Sequence, residues 1–300
     1  MIEFIKSGTQ FDFVGKFKYT TIISLVLVLA SLYFAVTKMK YGVDFRGGAE
    51  IQIKFDKSIT LDELRTMLDK KGFSGATVQT IGEDDTNEYL VKVLGSEENI
   101  NQITHQISDA LTTSFENQGP TVRKVDMVGP KAGAELRMSG FLAMFWAMLA
   151  IMIYVGLRFD FRYSPGAIIA LFHDVSLVLG YFALTGTEFT LQIVAAILAV
   201  IGYSVNDTVI VYDRVREHEE KYTGLPLATH INNATNETLS RTILTSGATL
   251  FVTITMMILG GLAIRDFFIA MTIGIVVGTY SSVFIAAPIT LSLDRVMKKK

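Results

Sequence analysis

Apolar positions along the chain gather into six runs with little or no charge, separated by short polar joints and by one long polar stretch. The runs cover residues 19–37, 138–157, 163–187, 189–212, 242–264 and 267–293. About 20 mainly apolar residues cross a bilayer as a helix, so each run predicts a transmembrane helix. Residues 38–137 break the pattern, with 13 basic and 16 acidic side chains. Charge at that density belongs in water. The chain therefore divides into 1–37 (N-terminus and first span), 38–137 (a polar domain), 138–293 (spans two to six) and 294–300 (a basic tail).

Inside the polar domain the period changes. Residues 49–55 alternate, with Ile51, Ile53 and Phe55 on one face, as a half-buried strand does. Thr60 and Glu63 fit a capping box, and the helix they open runs to Gly72. Residues 76–81 and 88–94 read as two strands around an acidic turn at 82–85. Ile100, Ile103, Ile107 and Leu111 fall at helical spacing, and 121–128 closes the set as a strand before Gly129 and Pro130. The order βαββαβ predicts a ferredoxin-like split βαβ domain. The expected fold class is an α-helical polytopic membrane protein of six transmembrane helices, with an α+β ferredoxin-like extracytoplasmic domain between helices 1 and 2. No constellation in that domain carries chemistry. His105 is its only histidine, and the acidic turn lacks the spaced oxygens and bidentate Glu of a calcium loop. It reads as a docking or binding module.

Charge sets the orientation. Lys6, Lys16, Lys18, Arg158, Arg162, Arg214, Arg216, Lys221, Arg295 and Lys298 to Lys300 collect on one side, against Arg265 and an acidic turn in the short loops of the other. The positive-inside rule puts both termini in the cytoplasm, so the polar domain lies on the outer side of the membrane. The first run resembles a signal peptide in its preceding lysines. Its length and the lack of a small-x-small cleavage site make it a retained anchor.

Half of the 300 residues are hydrophobic, net charge is −2, and there is no cysteine. No basic field argues for nucleic acid. Disulfides and thiolate chemistry are excluded, and no HExxH, P-loop or GxSxG motif occurs. These absences predict a protein that is not an enzyme and has no metal or cofactor.

What remains is polar groups at membrane depth. Asp207 is the one charge in the fourth run, with Asn206 just before it. A carboxylate there costs roughly 2.5–3.5 kcal/mol to insert, so it faces the bundle interior, finds a partner or moves an ion. Seven residues separate it from Arg214, which places it about 10 Å deep. A carboxyl poised between charged and neutral forms can relay a proton; a structural Asp would instead tie a neighbouring helix. Arg241 opens the fifth run, within geometric reach of Asp207, and either pairs with it or snorkels to the headgroups. His173 and Asp174 lie near the bilayer centre. Helix neighbours point about 100° apart, so the two are expected not to face one another and to need separate partners. His173 is a relay or a satisfied core histidine; Asp174 has no route to water. Gly274, Gly278, Ser282 and Ala286 at four-residue intervals form a packing stripe.

Five motifs occur in order: Tyr41-Gly42-Val43-Asp44-Phe45-Arg46-Gly47-Gly48, His173-Asp174-Val175, Gly202-Tyr203-Ser204-Val205-Asn206-Asp207-Thr208 with Tyr212-Asp213-Arg214, Leu239-Ser240-Arg241-Thr242, and the run from Gly278 to Pro288. Together they resemble the SecF family of protein-export subunits, within the resistance-nodulation-division transporters. The resemblance implies pairing with SecD around a pseudo-twofold axis, and contact with the SecYEG channel, YajC and unfolded translocating chains. It also implies use of the proton-motive force, or a sodium-motive force, to assist export. It implies that Asp207 and Arg241 take part in proton flow with a further Asp from SecD; Asp174 and His173 complete the candidate relay, and Asn206 and Ser204 its support. Asp44, Phe45, Gly47 and Gly48 mark the family motif after helix 1. Half of a proton-coupled exporter of lipids or hydrophobic molecules, or a non-transporting scaffold for SecD, are the alternatives.

Overall fold

The computed structural model describes residues 10–73, 75–81, 87–94, 100–159 and 161–297; the expected turn at 82–85 lies outside them, as do Lys6 and Lys298 to Lys300. Helix α1 (Phe17–Lys38) leads through a single turn, α2 (Val43–Arg46), into β1 (Gly48–Lys54). Then come α3 (Leu61–Lys70), β2 (Thr77–Ile81), β3 (Glu88–Leu94), α4 (Ile100–Ser114) and β4 (Thr121–Val128). The strands form one sheet in the order β2-β3-β1-β4, every pair antiparallel.

Alternation along β1 explains the core of this unit. Ile51, Ile53 and Phe55 are buried together with Leu64 and Leu68 of α3 and Ile107 and Leu111 of α4. Helix α3 opens on a reciprocal cap: Glu63 N donates to Thr60 Oγ1 at 3.2 Å, and Thr60 N donates to Glu63 Oε2 at 2.9 Å. That satisfies two otherwise orphaned N–H groups. Gly72, at φ +90°, ends the helix in the left-handed conformation that glycine reaches without strain.

The rest of the chain is helical: α5 (Pro130–Arg158), α6 (Ser164–Thr185), α7 (Leu191–Lys221), α8 (Leu227–Leu259), α9 (Leu262–Ser281), a π turn (Ser282–Ala286) and α10 (Ala287–Met297). Among the described residues, six helices are long and apolar enough to cross a membrane, the last running from Leu262 to Val296. The chain is a multi-pass membrane protein with a small antiparallel sheet. Helices α6 and α7 form the interior; α1 packs on α6, and α7 lies against α5, α8 and α9. The π turn precedes Pro288, whose missing N–H cannot complete a regular turn. Tyr212 of α7 donates to the Ala286 carbonyl there at 3.2 Å.

Three boundaries differ from the hydropathy reading. Between the fourth and fifth apolar runs, residues 213–241 are mostly helix; only residues 222–226 link α7 to α8. Both helices project past their apolar runs because their charges pair. Arg214 bonds Glu217 and Glu237, His218 Nε2 lies 3.0 Å from Glu237 Oε1, and Arg162 bonds Glu219. Helix α8 stops at Leu259, five residues before the expected end, at a Gly260-Gly261 turn with Gly261 at φ +79°. A hydropathy window cannot see two glycines between apolar helices. Helix α5 begins at Pro130, well ahead of its apolar run, with proline at the first helical position.

Candidate functional site

Four helices place hydroxyls and carboxylates in one polar seam. Asp174 of α6 is fully enclosed, 0% exposed. Its Oδ2 accepts from Ser204 Oγ of α7 at 2.6 Å and from Ser281 Oγ of α9 at 2.8 Å. Its Oδ1 lies 2.9 Å from His173 Nδ1. The expectation that His173 and Asp174 would not face one another is therefore corrected. The 100° argument concerns where side chains leave the helix, whereas rotation about the side-chain bonds brings the near ring nitrogen back onto its neighbour's carboxyl. The other ring nitrogen, His173 Nε2, is buried without a hydrogen-bond partner among the described residues. The ring lies 6.0 Å from Tyr280, whose hydroxyl reaches Ser24 of α1 at 2.9 Å.

Asp207 stands one turn along α7 from Ser204 and is 1% exposed. Its Oδ2 accepts from Ser246 Oγ of α8 at 3.3 Å, and Ser246 Oγ is 2.8 Å from Thr279 Oγ1 of α9. Its Oδ1 is buried and has no partner among the described residues. Asp174 is thus saturated with partners, and Asp207 is half satisfied. Each hydroxyl has one proton, which orders the chain. When Ser246 donates to Asp207, Thr279 must donate to Ser246 and give up the Ile275 carbonyl, 2.8 Å away. When Asp207 is protonated and donates, the hydroxyls can turn: Ser246 donates to Thr279, and Thr279 to Ile275. Both arrangements keep every hydroxyl satisfied.

The remaining expected residues are placed unevenly. Arg241 is exposed on α8, five residues before Ser246. No ion pair joins it to Asp207 among the described residues. Asn206 is exposed and points out of the seam. Ser204 serves Asp174, not Asp207. Gly274 and Gly278 bring α9 against α7: a Cβ on Gly274 would lie 2.2 Å from Val200 Cγ2, and one on Gly278 2.9 Å from Ser204 Cβ. Ser282 turns its hydroxyl back to the Thr279 carbonyl at 3.0 Å.

Thr279 and Ser281 fall within the motif from Gly278 to Pro288 but carry no role in it, and Ser246 lies outside every motif. Serine and threonine in a span usually satisfy themselves on their own helix, so nothing marks the few that cross to a neighbour. Asn232 and Asn236 were also missed. They clasp the N-terminal segment, accepting from Phe13 N at 2.9 Å and Phe11 N at 2.7 Å.

Asp44, Phe45, Gly47 and Gly48 lie away from the seam, at the sheet end of the bundle. Asp44 Oδ2 accepts from the Leu191 N–H at the start of α7, at 2.9 Å. Phe45 stacks on Phe189, with centroids 5.7 Å apart. A Cβ on Gly47 (φ +82°) would lie 2.6 Å from the Pro130 backbone, and one on Gly48 2.2 Å from the Val93 carbonyl oxygen. Two glycines are the condition for these backbones to cross. Nearby, Lys92 of β3 pairs with Glu50 at 3.4 Å and Glu188 at 3.3 Å. Burial alone would lower the Lys92 pKa; the two carboxylates outweigh it and hold the pKa above the usual lysine value.

Two family models match the chain. The one described as "Protein export membrane protein SecD/SecF, C-terminal" matches residues 107–296, and the one described as "SecD/SecF GG Motif" matches residues 33–59. The protein translocase subunit SecF of Magnetococcus marinus is 42% identical over 302 residues, covering 100% of this chain and 97% of that protein. Its namesake from Rickettsia rickettsii is 39% identical with the same coverage, 100% and 97%. The crystal structure of SecDF, a translocon-associated membrane protein from Thermus thermophilus, matches with a TM-score of 0.82 at 33% identity over 98% of this chain. This chain spans 39% of that one.

Proposed function

The chain belongs to the SecD/SecF family of protein export membrane proteins, and from that premise we propose that it is a SecF-type translocase subunit driven by an ion gradient at Asp207. The observation that carries the ion-coupled part is the asymmetry of that side chain. One carboxyl oxygen holds a reversible hydroxyl chain and the other is buried and unpartnered. With Oδ1 unpartnered the charged form is short of hydrogen bonds, and a proton on Oδ2 turns the hydroxyl chain without stranding any of its members. The His173–Asp174 pair, one turn away through Ser204, is the second station, and its open Nε2 is the acceptor on that side.

The partner is a SecD-type chain that completes the bundle. Asn206 and Arg241 are polar groups exposed on apolar helices, and such groups in a membrane face protein or water. A carboxylate from the partner is the natural ligand for Arg241, and approach of that pair toward Asp207 changes its hold on a proton. Both termini lie in the cytoplasm of a bacterial inner-membrane protein. The sheet, whose βαββαβ order and central β1 and β3 support a ferredoxin-like unit, lies outside near the exit of a SecYEG channel with its unfolded cargo; YajC is a further partner. No cofactor beyond the ion gradient is required.

The test is co-reconstitution with the partner chain in vesicles, reading ion flux and export together. Asp207→Asn is expected to assemble normally and to lose both, by about two orders of magnitude if the acid does general acid–base work. Flux and export at the wild-type level in that variant would remove Asp207 from the mechanism. A flux that follows a sodium gradient in place of a pH gradient would identify sodium as the ion. Arg241→Lys keeps charge but loses the planar fork, so wild-type behaviour there would show that no guanidinium-specific pairing is used.

A further inference from the structure

The outer end of the helix that carries Asp207 is held at four separate points, three by residues 40–45, which lead into β1, and one by β3 itself. Phe189, two residues ahead of α7, pairs with the chain leaving α1: its N–H donates to the Lys40 carbonyl at 2.7 Å, and Gly42 N donates to the Phe189 carbonyl at 2.9 Å. Asp44 caps the first turn of α7 from 147 residues away. The adjacent Thr190 occupies the N-cap position but makes no side-chain cap bond. Lys92 of β3 holds Glu188, and Phe45 lies on Phe189. Gly47 and Gly48 then let the strand β1 leave this point directly, in backbone contact with α5 and β3.

We propose that Asp44 is a positioning residue that locks the outer end of α7 to the sheet, so that the helix bearing Asp207 and the outside domain move as one body. Asp207 lies 16 residues beyond Leu191, about 24 Å along a continuous helix. Backbone bridge, helix cap, ion pair and ring stack resist sliding in different directions, so a shift or turn of α7 at Asp207 arrives at β1 and β3 undiminished. A single hinge contact would let the domain lag. This lock deepens the ion-coupled reading and rests on it: it supplies the path from the seam to the surface where cargo emerges.

The absence of cysteine permits a direct test in the full complex. Lys92→Cys with Glu188→Cys is joined by a short cleavable bis-maleimide. One-body motion predicts export within about twofold of the unlinked double variant, below the smallest coupling usual between linked sites. Export lost on linking would overturn the lock, because the contact would then have to open in each cycle. The second arm substitutes Asp44. Asp44→Ala is expected to keep the complex and its Asp207-dependent flux while export falls about fivefold or more. Asp44→Asn retains an oxygen that accepts from Leu191 N and is expected to keep both. Undiminished export in Asp44→Ala, or export, flux and complex yield falling together, would refute the positioning role. If Asp207→Asn leaves flux unchanged in the same vesicles, the ion-coupled reading has failed instead, while the linking arm still reports whether domain and helix move together.

Discussion

Two buried aspartates 33 positions apart look alike in the sequence and differ in their partners. Asp174 accepts from three groups and Asp207 from one. Removing charge from a saturated acceptor leaves neighbours unpaired, at about 1–3 kcal/mol for each buried polar group left unsatisfied. Asp174→Asn should therefore lower the yield of folded complex along with flux, whereas Asp207→Asn should lower only flux and export; size-exclusion yield beside the vesicle assay separates them. Lys92 makes the residue-scale prediction for pH. Its folded pKa is raised, so its ion pairs contribute in full below the unfolded value and are lost only as pH climbs through the folded one. Lys92→Met should cost about 1–3 kcal/mol, read as a lower unfolding temperature in detergent. The deficit should be constant from mildly acidic to mildly alkaline pH and close only beyond the ordinary lysine range. A deficit that vanished near neutrality would contradict this pairing.

At the scale of elements, the seam exists because α7 and α9 approach backbone to backbone. Gly274 and Gly278 remove the side chains that would hold the helices apart, and only then does Ser281 reach Asp174 and Thr279 reach Ser246. Gly274→Leu should abolish this crossing, and with it recovery of monodisperse protein. Gly202→Ala on α7 is the control, since a Cβ there meets nothing within 4 Å and alanine favours helix by about 1 kcal/mol. Equal recovery of both variants would show that the close approach is not needed. The capping box at Thr60 and the alternation along β1 were legible in advance because each depends on neighbours in sequence. The ends of α7 and α8 were not, because ion pairs between two projecting helices carry them past the apolar run.

For the whole molecule, the seam is buried within this chain, while Asn206 and Arg241 beside it are exposed on the helix surface. A subunit that completes the bundle there predicts a specific contact: a photo-reactive residue at Asn206 should capture the SecD-type partner in membranes. One at Val26, 60% exposed on α1, which packs on α6, should label lipid. Capture from both positions with equal yield would argue against a defined interface at Asn206. The sheet sits at the far end of α7 from the charged helix projections.

Hydropathy runs, strand alternation and the capping box determined that this is a six-span protein carrying a small sheet domain, and the ordered motifs determined its family. These features are local, since each depends on residues within a few turns or strands. Which oxygen of Asp207 lacks a partner, that His173 turns onto Asp174, and that Asp44 caps a helix 147 residues away were decided only in three dimensions. Those contacts depend on side-chain rotation and on how closely helix backbones pack, and a one-dimensional pattern records neither.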